Sequence, residues 1–155
     1  MDVNLEIVGI PVSDGDEALE FYHERLGWRL DADLTSGDTF RAVQLTPTGA
    51  GHTAIVIGKG VPQGEPGSQR HLTLATSDIV AAHAELVERG VAVTDIYHGP
   101  GSPFFPEARI PGPDPERVSY NSYASFEDPD GNSWILQEIT TREAGREPSN
   151  SRAPA

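Results

Sequence analysis

FEDPDGNSWILQEIT, residues 126–140, combines a turn with the strand that follows it. The run Asp-Pro-Asp-Gly-Asn at 128–132 is made of residues that favour tight chain reversals, and the side chains of Asp128 and Asp130 are expected to cap the turn. Residues 133–139 then read as a strand whose side chains alternate between two faces. The stretch therefore predicts two strands joined by a reversal, with Ile135 inside the second strand.

The chain contains an internal repeat. Residues 7–27, IVGIPVSDGDEALEFYHERLG, and residues 71–90, HLTLATSDIVAAHAELVERG, each begin with an alternating run, reach Ser-Asp at the same offset and end at glycine. Asp14 is suited to cap the first helix, either Ser77 or Asp78 is suited to cap the second, and Glu17 resembles the third residue of a capping box. An internal repeat outweighs local signals in the choice of a fold.

Strand-like runs follow each helix, so each half has the order βαβββ. The predicted strands are 28–34, 39–46, 53–57, 93–98, 120–127 and 133–139. We predict an α+β protein built from two βαβββ modules. The predicted segments are a first module at 1–57, a Gly- and Pro-rich linker at 58–68, a second module at 69–140 with a Pro-rich insertion at 99–119, and a disordered tail at 141–155. The insertion is either a functional cover or a disordered loop.

Composition excludes several classes of function. The 155 residues include no cysteine, which rules out disulfides and thiolate sites. The formal net charge of -13 argues against a nucleic-acid partner. Two roles for the negative charge remain open: it keeps the protein in solution, or it attracts cationic small molecules. The first residues do not resemble a signal peptide, and no apolar run approaches the ~20 residues of a membrane span. We therefore expect a cytoplasmic protein with a small-molecule partner.

The repeat and its motifs resemble a known superfamily. The motifs are Pro-Val-Ser-Asp at 11–14, Phe-Tyr at 21–22, Leu-Gly at 26–27 and Asp-Pro-Asp-Gly-Asn at 128–132. Together they resemble the vicinal oxygen chelate superfamily, which includes glyoxalase I, extradiol dioxygenases and bleomycin-resistance proteins. The resemblance covers roughly residues 3–140. It implies that the two modules form a curved mixed sheet enclosing a pocket, and that the protein is a homodimer. It does not imply one activity, because the fold hosts enzymes and non-catalytic drug-binding proteins alike.

The resemblance also implies metal ligands on the first and last strands of the modules. Carried onto this chain, those positions are Ile7, His71, Ile135 and either Ile55 or Ile57. Isoleucine has no donor atom, and a catalytic divalent metal needs about three nitrogen or oxygen ligands. We therefore expect no metal and no other cofactor. Only a different strand register, one that brings in Glu138, would change this expectation.

Strand parity places candidate pocket residues. Leu72 and Leu74 should lie beneath the helix, so His71, Thr73 and Ala75 should face the opposite side. The same argument assigns further candidate ligand contacts: Ile7, Gln44, Asn121, Tyr123, Ile135 and Gln137. The insertion adds Phe104 and Phe105, either as a lid or as anchors for the loop. Two further aromatic residues, Trp28 and Trp134, are expected in the core.

Two functional hypotheses remain open. The first is a metal-independent acid–base enzyme, an isomerase, cyclase or lyase, acting on an apolar oxygenated metabolite. His71 would move the proton, because histidine titrates near neutral pH, and Tyr123 and Gln44 would polarise the substrate. The second is a non-catalytic protein that sequesters a drug or metabolite. The isolated histidine and the insertion favour the enzyme slightly, and a metal-dependent lyase or dioxygenase would require the different register.

Overall fold

The computed structural model describes residues 1–61, 64–144 and 146 and confirms the α+β class. The elements are β1 (Ile7–Gly9), α1 (Gly15–Leu19), a π-helical segment (Glu20–Arg25), β2 (Arg29–Ser36), β3 (Phe40–Thr46), β4 (Ala54–Lys59), β5 (Leu72–Thr76), α2 (Ile79–Glu88), β6 (Tyr97–His98), a 3₁₀ turn (Pro106–Ala108), β7 (Ile110–Pro111), β8 (Ser122–Glu127) and β9 (Ser133–Glu138). Most of the predicted tail, residues 145 and 147–155, lies outside the described residues.

Both helices begin at the predicted caps. The side chain of Asp14 accepts hydrogen bonds from the backbone N–H groups two and three residues later, at 2.9 and 3.2 Å. Asp78 does the same for α2, with both distances 3.1 Å. Gly27 and Gly90, which follow the two helices, have φ values of 72° and 78°. This left-handed conformation stops a helix and is open to glycine at little cost.

The strands form two separate sheets. Sheet A has the order β1-β4-β3-β2, and sheet B has the order β5-β9-β8-β6-β7. The first pair in each sheet is parallel and the other pairs are antiparallel. The two modules thus share one topology, and sheet B gains β7 from the insertion, a strand that the sequence did not predict. In the described part of the chain neither sheet closes into a barrel.

The main core lies between the two sheets. The face of each sheet that meets it is called the inner face here, and the opposite face is the outer face. The core residues include Ile10, Tyr22, Trp28, Val43, Leu45, Ile55, Ile57, Phe126 and Trp134. Leu72 and Leu74 pack against this core from β5, as strand parity predicted, and both tryptophans are buried in it. Since the inner faces share one core, the two outer faces point away from each other.

The turn at 128–132 also joins the two modules. Tyr22 from the first helix donates its hydroxyl hydrogen to Asp128 at 2.7 Å, and Trp134 Nε1 donates to the Tyr22 oxygen at 3.0 Å. Asp128 accepts from the backbone N–H groups of Asp130 and Asn132 as well, which confirms its capping role. Burial, with help from the Asp128 charge, raises the pKa of Tyr22 far above its ordinary value. The phenol therefore stays protonated and remains a donor.

Candidate ligand-binding site

The outer face of sheet B carries a buried aromatic cluster. Tyr97, Tyr123 and Ile135 are at most 8% exposed, although they lie on the side of the sheet away from the helices. The two tyrosines face each other across paired strands, with ring centroids 5.8 Å apart and planes inclined by 25°. An antiparallel sheet often leaves its second face to water. Here that face is apolar and covered, and we call these three residues the floor.

The Pro-rich insertion supplies the cover. The guanidinium carbon of Arg109 stands 4.1 Å from the centre of the Tyr97 ring. Arg109 Nε also donates to the backbone carbonyl of Ser102 at 3.1 Å, a hydrogen bond within the insertion that helps to hold the guanidinium over the ring. A cation over an aromatic ring contributes about 0.5–1 kcal/mol when exposed and about 2 kcal/mol when desolvated. The insertion is therefore held over the outer face by a specific contact.

The hydroxyl groups of the floor are paired with neighbouring residues. The Tyr123 hydroxyl and Gln137 Nε2 both donate to the backbone carbonyl of Tyr120. The hydroxyls of Tyr97 and Ser125 share a hydrogen bond of 2.6 Å. Burial raises the pKa of Tyr123, so its phenol stays protonated at neutral pH. What the floor offers a ligand is therefore aromatic and aliphatic surface.

An uncovered strip runs beside the floor along β5. Thr73 and Ala75 lie on the outer face and are exposed, and Thr73 pairs directly with Ile135 of the floor. The rings of His71 and Phe104 meet edge to face at the start of this strip, with centroids 5.4 Å apart. A flat ligand placed on the strip would contact the floor on one side and these two rings on the other. We call these four residues, Thr73, Ala75, His71 and Phe104, the strip.

The structure brings part of the predicted site together. Tyr123, Ile135 and Gln137 share the outer face of sheet B, and Phe104 and His71 stand at its edge. His71 itself precedes β5 and has a left-handed φ of 57°, so strand parity does not extend to it. Its imidazole is exposed, and in the described part of the chain its side chain meets the Phe104 ring without a hydrogen bond.

The remaining predicted residues lie elsewhere in the chain. Gln44 and Ile7 occupy the outer face of sheet A, away from the floor. Asn121 precedes β8 and donates its amide hydrogen to Asp114 at 3.0 Å, so it holds the end of the insertion. Phe105 is 57% exposed on the insertion. Within one chain, therefore, the strip is not lined by Gln44, Ile7, Asn121 or Phe105.

Two residues of the floor and its cover were missed from the sequence. Tyr97 lies in a predicted strand and sits opposite Tyr123, so parity between paired strands would have found it once the pairing was known. Arg109 lies in an insertion without periodicity, and its contact with Tyr97 spans a loop that no local pattern describes. Only the fold reveals its position.

The residues at the superfamily's metal-ligand positions do not fit a metal. Ile7 and Ile135 have no donor atoms, and the described residues contain no group of three or more His, Cys, Asp or Glu placed to hold an ion. Glu138, the candidate from a different register, is fully buried. It accepts from Arg117 Nε at 2.8 Å and from the backbone N–H of Ile79 at 2.9 Å. Arg117 lowers the pKa of Glu138, and this carboxylate is occupied in holding α2 and the insertion together.

Comparison with known proteins agrees with the fold. The family model of the Glyoxalase/Bleomycin resistance protein/Dioxygenase superfamily matches residues 4–136. The chain belongs to this superfamily. The match spans both modules and the insertion between β6 and β8. Within the described residues, no helix has the length and apolar character needed to cross a bilayer.

Two Streptomyces structures of the superfamily are similar to this chain. TnmS3, an antibiotic binding protein from Streptomyces sp. CB03234, is 36% identical, with a TM-score of 0.64 over 89% of this chain and 97% of its own. A glyoxalase/bleomycin resistance protein from the same organism is 37% identical, with a TM-score of 0.60 over 85% and 97%. The uncharacterized protein YetH of Bacillus subtilis (strain 168) is 21% identical over 84% of this chain and 94% of its own length.

Proposed function

We propose that the protein binds an aromatic small molecule on the outer face of sheet B and holds it without changing it chemically. The observation that carries this proposal is the floor of Tyr97, Tyr123 and Ile135, which the insertion covers while the strip beside it stays open. Small-molecule sites are mostly apolar with a few polar groups, and this surface has that character. The similarity to TnmS3, whose description is that of an antibiotic binding protein, supports the same function.

The state of the candidate catalytic groups favours binding over catalysis. The Tyr123 hydroxyl is committed to the Tyr120 carbonyl, and its raised pKa keeps the proton in place. His71 lies on the exposed edge of the strip and contacts a phenylalanine ring. A general acid or base works within hydrogen-bond reach of the reacting atom and is held there by a partner. Acid–base catalysis by His71 and Tyr123 stays a prediction, and the experiment below tests it.

We also propose that two copies assemble so that the outer face of one sheet A covers the strip of another copy. Sheet A presents exposed apolar side chains on that face, among them Ile7 at 41% and Leu34 at 62%. Such an arrangement would bring Gln44 to the ligand, where a single chain leaves it remote. The molar mass from light scattering would be that of a dimer, and Leu34→Asp would yield monomers that bind the ligand more weakly. Fully monomeric wild-type protein that binds with full affinity would refute this arrangement.

The binding site can be tested with a panel of aromatic natural products, antibiotics included, screened by thermal shift. For each hit, Tyr97→Leu removes the floor ring, whereas the matched variant Tyr97→Phe removes only the hydroxyl. We expect Tyr97→Leu to weaken binding at least about tenfold, as loss of a central aromatic contact does. Tyr97→Phe and the distant surface variant Val87→Ala, at an exposed position of α2, should bind nearly as the wild type does.

Two results would contradict the proposal. One is equal affinity of Tyr97→Leu and wild type while circular dichroism shows both folded. The other is a new product in mass spectra of the incubated ligand that disappears with His71→Ala, which would establish the enzyme hypothesis instead.

A further inference from the structure

A second cavity lies between the modules, on the inner side of the sheets. Its volume is about 620 Å³, inside the range of about 300–1,000 Å³ that is usual for small-molecule sites. Its walls are mainly apolar and come from both modules: Val8, Leu26, Trp28, Ile55, Leu72, Leu74, Leu86, Phe126, Trp134 and Leu136. We call this cavity the cleft. The cleft reaches the edge strand β5 and includes Thr73 and Ala75 of the strip, whereas Tyr97, Tyr123 and Ile135 of the floor do not line it.

Of the three charged side chains in the described lining of the cleft, two are paired with each other. The Thr53 hydroxyl donates to the carbonyl of Leu5 at 2.8 Å. The guanidinium of Arg89 forms an ion pair with Glu85 at 3.0 Å. Arg142 also lines the cleft, and it makes no hydrogen bond or ion pair with any other residue that the structure describes. An unpaired cation beside an apolar cavity stands out in a chain whose formal net charge is -13.

We propose that the cleft is a second ligand site, which takes an amphiphile with an apolar tail and one anionic head group. The tail would lie against the two tryptophans and the leucines, where burial of methylene groups supplies the affinity. The head group would pair with Arg142, the free cation of the lining. A cationic head would gain no such partner. This site adjoins the strip at Thr73 and Ala75 but is distinct from the floor, since none of the three floor residues lines the cleft.

Intrinsic fluorescence can detect this binding, because the only two tryptophans of the chain, Trp28 and Trp134, both line the cleft. Sodium octanoate, sodium decanoate and decanol serve as probes. Octanoate and decanoate should each produce a saturable change, and each added methylene should tighten binding by up to about fourfold. Decanol, which has the tail without the charge, should bind too and report the apolar contribution alone.

Matched variants locate the probe. Arg142→Gln should weaken decanoate binding by about two- to fivefold, the range of a partly exposed ion pair, and leave decanol binding unchanged. Arg146→Gln is the control, because that guanidinium lies 5.7 Å from the Tyr120 ring and does not line the cleft. Tyr97→Leu, which disrupts the aromatic site, should bind decanoate as the wild type does.

Several outcomes would overturn the proposal: no saturable change with any probe, an unchanged decanoate affinity in Arg142→Gln, or loss of decanoate binding in Tyr97→Leu. Binding that vanishes as the protein dimerises would show that a second copy fills the cleft, and would overturn it as well. None of these results depends on the aromatic panel, so failure at one site is distinguishable from failure at the other.

Discussion

Replacing Tyr22 with phenylalanine tests how the two modules are held together. The change removes one oxygen atom that lies between Asp128 and Trp134 and leaves the ring packing in place. Asp128 keeps its hydrogen bonds from the turn backbone and from the Asn132 side chain. The stability lost with the Tyr22–Asp128 hydrogen bond should therefore be near the low end of the range for bonds to charged groups, about 1.5 kcal/mol. The buried indole N–H loses its partner, which adds about 1 kcal/mol.

We therefore expect Tyr22→Phe to lower the free energy of unfolding by about 2.5 kcal/mol. For a chain of this length, that corresponds to a fall in Tm of about 5–10 °C. Urea unfolding followed by circular dichroism, together with calorimetry, measures both quantities. Tyr120→Phe is the matched control, because among the described residues its hydroxyl accepts a hydrogen bond only from the exposed backbone of Glu143, and it should change stability by less than about 0.5 kcal/mol. A loss below about 1 kcal/mol in Tyr22→Phe, with an unchanged m-value, would refute the reasoning.

Three further predictions concern other parts of the fold. Glu138→Gln should lower stability by about 2 kcal/mol at pH 7, and the difference should shrink as the pH falls below about 4.3. The reason is that the pKa of Glu138 is lowered in the folded state. The resulting stabilisation is complete above the ordinary pKa of a glutamate and is lost as the folded-state carboxyl becomes protonated. Unfolding curves at several pH values would measure this loss. Gly67→Ala should cost clearly more stability in calorimetry than Gly90→Ala. Both have a φ of 78°, but the new Cβ would lie 2.0 Å from a backbone oxygen only at Gly67. Arg109→Gln should speed amide hydrogen exchange in the insertion by about five- to tenfold, as expected from the loss of a contact worth about 1 kcal/mol, with little change in global stability.

Much of the fold was predictable because local physical rules act on it directly. Asp14 and Asp78 cap helices in the structure as their sequence positions indicate, and the glycines that follow the helices take the left-handed conformation. Parity along β5 correctly separated Leu72 and Leu74 from Thr73 and Ala75. These predictions needed only the chain within a few residues of each position.

The candidate site was predictable only where regular strands continue. Tyr123, Ile135 and Gln137 share a face because β8 and β9 are regular. His71 breaks the rule with its left-handed backbone, and Arg109 reaches Tyr97 from an irregular loop. Gln44 lies on the outer face of sheet A, as strand parity predicted. However, the inner faces of sheets A and B pack against the same core, so the two outer faces diverge. Strand parity gives the face of a residue and not the direction in which its sheet is turned.

The hydrogen bond between Tyr22 and Asp128 also has a consequence for synthesis on the ribosome. The chain emerges from its N-terminus, so the first helix leaves the ribosome long before its partners at 128 and 134 exist. β9, the last strand, is also the one that pairs with both β5 and β8. The contacts of Tyr22 can therefore be completed only after residues 128–138 have emerged, and until then its hydroxyl lacks these two partners. A truncated chain that ends before Asp128 would remain a target for chaperones and proteases.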